Sequence, residues 1–192
     1  MSARSVASRR LSILAGAASL VVALGACGRV NDPPTSENDG VYVEAGPITY
    51  QLQISRELNQ YATEDSQYLK GLPPGAASLS PDQEWYGVFL WAKNQTKRPQ
   101  ATTDSFDIVD TEGNKYYPIP ISPSLNPYAW TAQTLAPGAT EPGPDTAASF
   151  GPTQGALLLF KLNTSVYDNR PLTLEIRGGP SQKLWGTISL DL

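Results

Sequence analysis

Proline and glycine break this chain at close intervals: seventeen prolines and sixteen glycines stand among its 192 residues. Proline lacks the N–H that a helix interior or a central strand requires, and glycine loses the most backbone freedom when it is fixed. Long helices are therefore disfavoured, and the short runs between the breaks must supply the core. Where those runs are apolar, they alternate. Ile48, Tyr50, Leu52 and Ile54 interleave with Thr49, Gln51, Gln53 and Ser55, the period of two that marks a half-buried strand.

Further strands follow from the same reasoning. Glu84 to Lys93, EWYGVFLWAK, is almost continuously apolar and suits a central strand covered on both faces. Tyr86, Val88, Leu90 and Ala92 fall on one face, and Trp85, Phe89 and Trp91 on the other. Ser105 to Val109 leads into the turn Asp110–Asn114, and Lys115 to Ile119 should return as the second arm of a hairpin. Gly155 to Leu162 reads as a second buried strand, Leu172 to Arg177 turns Leu172, Leu174 and Ile176 inward, and Leu184 to Leu192 places Leu184, Gly186, Ile188 and Leu190 on one face. Leu58 to Ala77 breaks the pattern with a short helix-compatible run, Thr63 to Leu69, stopped by Gly71, Pro73 and Pro74. Seven prolines between Pro120 and Pro152 make that stretch mostly irregular, with Leu135–Gly138 as a turn. With 40% hydrophobic residues to form a core, the expected fold is all-β: an antiparallel β-sandwich with a short helical insertion.

The first 27 residues have a different logic. Met1 to Arg10 holds three arginines and no acid, and Leu11 to Ala26 is an uncharged apolar run, the two parts of an export signal. As a helix, its roughly sixteen residues would reach ~24 Å, short of a ~30 Å hydrocarbon core. The run ends in Leu24-Gly25-Ala26-Cys27, which resembles the bacterial lipobox, where the cysteine becomes the lipid-bearing N-terminus. Ser8-Arg9-Arg10 resembles a twin-arginine export signal, although Ser12 stands where a bulky apolar residue is usual. Gly28 to Gly46, rich in Asn, Asp, Pro, Ser and Gly, reads as a solvated tether. The expected organisation is a signal peptide over 1–26, a lipidated N-terminus and tether over 27–46, and a sandwich over 47–192.

Chemistry is narrowed mainly by what the chain lacks. Cys27 is its sole cysteine and it contains no histidine, so Ser-His-Asp and Cys-His catalysis are excluded and common zinc, copper and haem sites lose their usual ligand. Without Arg4, Arg9 and Arg10, eleven basic residues face eighteen acidic ones, a balance that repels phosphate backbones and argues against nucleic acid as a partner. Carboxylates remain: Glu64-Asp65, or Asp104, Asp107 and Asp110, as an acid and base for a glycan hydrolase. Asp107 falls on the opposite strand face from Asp104 and Asp110, so these three do not converge from one strand. Asp110, Glu112 and Asn114 offer oxygens at alternate positions, a weak calcium candidate against an ordinary hairpin turn. The aromatic residues Trp85, Phe89 and Trp91 are either core or, if exposed, a stacking platform. Tyr128 and Trp130, in the proline-rich stretch, are further candidate contact residues.

The strand ending in Asn94, the hairpin Phe106–Tyr116, the Leu135–Gly138 turn, and Gly155–Leu162 followed by Leu172–Ile176 together resemble a widespread family of extracytoplasmic bacterial domains of unknown function. The resemblance covers about Tyr86 to Ile176. It implies an immunoglobulin-like sandwich of the kind common in lipoproteins. The Leu58–Ala77 insertion and the proline-rich stretch depart from the usual pattern. The expectation is a cell-envelope lipoprotein without enzymatic activity or cofactor, held on the extracytoplasmic face of the membrane by acyl chains at Cys27 and binding an envelope protein or polymer. A carboxylate-dependent glycan hydrolase and a structural spacer are the alternatives.

Overall fold

The computed structural model describes residues 33–36 and 40–190, so the expected signal peptide and Cys27 lie outside the described residues. The strands in chain order are β1 (Thr35–Ser36), β2 (Tyr42–Ala45), β3 (Ile48–Leu58), β4 (Gln83–Lys93), β5 (Gln100–Ala101), β6 (Ser105–Val109), β7 (Lys115–Tyr116), β8 (Thr134–Leu135), β9 (Thr140–Glu141), β10 (Ala156–Asn163), β11 (Thr173–Gly178) and β12 (Lys183–Ser189). Two one-turn helices, α1 (Thr63–Ser66) and α2 (Ala147–Phe150), and a 3-10 turn at Thr164–Asn169 complete the set. One sheet runs β1-β12-β11-β6-β7 and the other β10-β4-β3-β2, with β9 also on β4 and a separate β5-β8 ribbon. All strand pairs are antiparallel except β1 with β12. The expected β-sandwich with a short helical insertion is therefore present.

The two sheets close on a shared core. Tyr50, Leu52, Val88 and Leu90 from one sheet meet Phe106, Ile108, Leu174, Ile176 and Ile188 from the other, all buried. Period-two alternation explains most of these positions, with one phase slip. The β3–β4 register shifts between Leu52 and Ile54, so Ser55, not Ile54, turns inward and its hydroxyl donates to the Leu190 carbonyl at 2.9 Å. A similar shift at Ile176/Arg177 leaves the expected inward residue Leu184 only half-buried.

A second apolar cluster lies on the far face of β4 and β10, where Trp85, Phe89, Leu157 and Leu159 meet Leu58, Tyr68, Tyr128 and Ala148. The Leu58–Ala77 insertion and the proline-rich stretch supply its cover. Gly87 sits in this face because no side chain fits there: an added Cβ would stand 3.0 to 3.2 Å from atoms of Leu58, Phe89 and Leu157. The lid is fastened by Asn126, which is fully buried. Its Nδ2 donates to the carbonyls of Tyr68 (2.9 Å) and Lys70 (3.1 Å), and its Oδ1 accepts the Tyr128 N–H at 3.0 Å.

Two expectations about boundaries need correction. The tether expected to reach Gly46 contains strands: β2 pairs with β3 from Tyr42↔Gln51 to Ala45↔Ile48, and Val43 and Ala45 enter the core. Gly46-Pro47 forms the two-residue hairpin loop between them, with a positive φ of 62° at Gly46. The β6 hairpin is shorter than expected, because only Lys115 and Tyr116 pair. Pro118 and Pro120 have no N–H to donate, and Ile119 between them instead donates to the Leu159 carbonyl at 2.7 Å.

Candidate binding cleft

The carboxylates considered for hydrolysis are dispersed. Glu64 is exposed, whereas Asp65 is buried beside Arg56. Arg56 Nη2 lies 2.5 Å from one Asp65 oxygen, and the Asn59 N–H donates to the other at 2.9 Å. The arginine hydrogen bond, which outweighs burial, holds the Asp65 carboxyl below its ordinary pKa, the reverse of what a general acid requires. Asp107 is set opposite Glu175 on the next strand, with Lys115 and Arg177 bridging the two carboxylates. Asp104 stands exposed.

Asp110 has no acceptor capacity left for calcium. Its Oδ1 accepts the N–H groups of Glu112 (3.0 Å) and Asn114 (2.9 Å), while Oδ2 accepts the Asn114 amide (3.0 Å) and the Tyr116 hydroxyl (3.1 Å). Burial opposes ionisation, but these hydrogen bonds prevail and lower the Asp110 pKa. Asn114 presents its N–H₂ to the carboxylate, the wrong end of the amide for a cation. The calcium reading gives way to a hairpin turn organised around Asp110. Among the described residues no three acidic, cysteine or histidine side chains converge.

The strand aromatics do not form a stacking platform. Trp85 and Phe89 are 1% and 0% exposed, beneath the insertion. Tyr68 packs edge-on against both Phe89 and Tyr128, at 5.0 and 4.9 Å between ring centroids. Lys161 lies 5.0 Å over the Trp85 ring and donates to the carbonyls of Ala76 and Ser78, which pins the insertion from the other side. Tyr128 is buried, with its hydroxyl donating to Gln67 at 2.8 Å. Trp130 is half-buried between Tyr50 and Phe106, and its Nε1 donates to the Thr103 carbonyl at 2.9 Å. Only Trp91 of the three strand aromatics reaches the surface, in a shallow recess beside Tyr42 and Gln51.

One carboxyl outside the earlier candidates is unusual. Glu84 is buried at the end of β4 and its Oε1 has no hydrogen-bond partner. Burial raises its pKa, the Tyr167 hydroxyl bond partly offsets this, and nearby Glu57 adds to the rise. The neighbouring carboxylate, Glu57, lines the same small recess as Glu84, together with Tyr61, Gln83 and Trp85.

The cleft with the most usable chemistry lies along the outer edge of β10. Expected as a buried strand, β10 is buried on both faces, and it stands at the edge of its sheet, where loop pieces cover its free side. The Leu157 N–H donates to the Tyr128 carbonyl at 2.7 Å and its carbonyl accepts the Trp130 N–H at 2.9 Å, a parallel bridge centred on Ala129. Two residues on, Ile119 takes the Leu159 carbonyl. Between these two attachments opens a cleft of about 310 Å³, walled by Pro118, Ile119, Pro120, Ile121 and Trp130, with Asp104 at its lining. The walls are apolar and the polar groups few, the usual composition of a ligand site. Neither attachment was expected from the sequence. The one available signal was Pro118-Ile-Pro120, a segment with a single N–H available to cap a strand edge.

No protein-family model and no curated protein sequence matches this chain. Its fold is similar to that of the yjhA protein from Bacillus subtilis, at a TM-score of 0.53 and 14% identity over 81% of this chain and 99% of that one. An uncharacterized beta-sandwich protein from Clostridium difficile 630 aligns at a TM-score of 0.41 and 11% identity, over 83% of this chain and 97% of that one. At 14% identity the likeness to the Bacillus subtilis protein is one of fold. No helix among the described residues is long and apolar enough to cross a membrane.

Proposed function

We propose that this chain is a bacterial envelope lipoprotein whose β-sandwich is a non-enzymatic binding domain for an envelope protein or polymer. Met1 to Ala26 directs export, and Cys27 carries the lipid that holds the domain on the extracytoplasmic face of the membrane. Two or three acyl chains at ~0.8 kcal/mol per buried CH₂ suffice for a lasting anchor, where a single chain does not. The observation that carries the binding reading is the apolar cleft at the β10 edge, while Asp65 and Asp107 are ion-paired and Asp110 is bound in a turn. The tether between anchor and domain is shorter than the sequence suggests, because β2 already belongs to the sandwich.

The anchor is tested by Cys27→Ser, which should abolish acylation and release the protein from membranes. Membrane retention without acylation would refute lipidation in favour of an uncleaved helix. A soluble form for binding studies should retain Pro33 onward, since a cut at Pro47 removes β1 and β2, and with them the core residues Val43 and Ala45.

A further inference from the structure

The ladder along the β10 edge is interrupted at one place. In a parallel pairing that begins with Leu157 N–H to Tyr128 and Trp130 N–H to Leu157, the next bond runs from the Leu159 N–H to the Trp130 carbonyl. That bond is missing. After Trp130 the chain turns away, and the Thr102 N–H bonds the Gln133 carbonyl as β8 pairs with β5. The Leu159 carbonyl is taken by Ile119, yet among the described residues the Leu159 N–H on the same side meets no protein acceptor and the Trp130 carbonyl receives no protein donor. Leu159 is 1% exposed. Both orphaned groups belong to residues that line the cleft.

We propose that the cleft binds a short extended peptide whose carbonyl accepts the Leu159 N–H and whose basic side chain meets Asp104. This deepens, and rests on, the reading of the sandwich as a binding domain. The donor and acceptor left open are those of a β-ladder, which an extended backbone satisfies by adding to the edge. Asp104 is exposed and makes no ion pair among the described residues, so a cationic group is complementary. The opening between the Trp130 and Ile119 attachments is one ladder position long, and about 310 Å³ is at the small end of ligand sites. The cleft therefore takes a few residues of a chain, not the long strand edge of a second copy. Its walls of proline and isoleucine present no array of hydroxyl-reading side chains, which disfavours a sugar.

The test uses the full chain in detergent micelles with the blocked tripeptide acetyl-Val-Lys-Val-methylamide, its Glu analogue, and chitotriose, and reads hydrogen exchange at the Leu159 amide. The expected result is saturable protection of that amide by the lysine peptide. The glutamate peptide should bind more weakly, and Asp104→Asn should weaken lysine-peptide binding roughly two- to fivefold, the range of a single exposed charge pair. Asp104→Lys should invert the preference, and since Asp104 is exposed neither substitution threatens the fold. Absence of saturable peptide binding, binding that leaves the Leu159 amide unprotected, or protection by chitotriose alone overturns the peptide assignment while leaving the binding-domain reading in place. Cleavage of the tripeptide, or release of sugar from chitotriose, would instead overturn the non-enzymatic reading itself.

Discussion

The two faces of β4 meet different kinds of structure. Val88 and Leu90 pack on the opposite sheet, a regular partner whose side chains arrive every second residue. Trp85 and Phe89, one residue out of phase, pack on Tyr68 and Tyr128, which come from segments with almost no regular structure. Both faces are dry, but they are held differently. The inner face is secured by strands bonded along their length, and the outer face by a few specific attachments: Asn126, the Arg56–Asp65 pair and Lys161. A regular layer spreads its stability over many equivalent contacts, whereas a pinned layer concentrates it.

Truncation on the two faces should show this contrast most strongly. Phe89→Ala and Leu90→Ala each remove a side chain that is 0% exposed, and losses of about 3–5 and 2–5 kcal/mol are expected. Denaturant unfolding should separate them in kind. Leu90→Ala should lower the single transition of the whole sandwich, while Phe89→Ala should also release Tyr68 and the insertion at sub-denaturing concentrations, seen as hydrogen exchange across residues 61–79. Equal exchange in both variants would mean that the insertion and the sandwich unfold as one unit.

Asn126→Ala makes a smaller and more selective break. It leaves the Tyr68 and Lys70 carbonyls and the Tyr128 N–H without their partner, at about 1–3 kcal/mol for each such group that stays dry. Water entering the gap will recover part of that, so a net loss of ~2–3 kcal/mol is expected. Proteolysis at the exposed Pro74–Gly75 loop should accelerate, while exchange of β11 and β12 amides stays unchanged. Unaltered cleavage would show that Lys161 and the Arg56–Asp65 pair hold the lid without Asn126.

The same contrast explains what was legible in the sequence. Tyr86, Val88 and Leu90, or Leu172, Leu174 and Ile176, lie inward because a strand fixes side-chain direction locally, so a few residues suffice to read it. Ile54 broke the rule because a bulge is a property of the pair β3–β4, not of either strand alone. The outer layer was hidden for a stronger reason. Nothing near Asn126 announces that its amide will reach Tyr68 and Lys70, 58 and 56 residues earlier. The candidate cleft is hidden in the same way, since it exists only where Ile119 and Trp130 both reach β10. The β2 strand was legible in part: Val43 and Ala45 alternate with Tyr42 and Glu44 before the Gly46-Pro47 loop, but the polar composition around them concealed it.

The smallest expected effect is one of pH, and it carries opposite signs in the two regions. Asp65, in the pinned layer, has a folded pKa below its ordinary value of 3.8, held there by Arg56 against burial. Its contribution is present above that ordinary value and is lost as the pH falls through the depressed folded pKa. Glu84, at the end of the inner face, has a folded pKa raised above 4.5 by burial. It favours folding below that value, where it is protonated in both states, and the advantage is lost as the pH rises through the raised folded pKa. Acidification from neutrality to about pH 4.5 should therefore steady the segment around Glu84 and Tyr167, and further acidification below about pH 4 should loosen the insertion. Site-resolved hydrogen exchange across that range distinguishes the two. Arg56→Met should abolish the acid-side loosening, since Asp65 then loses the partner that lowers its pKa, and Glu84→Gln should flatten the response at the other end. If both segments respond with the same sign in the wild-type chain, the two faces share one electrostatic environment and the distinction between a regular and a pinned layer is confined to packing.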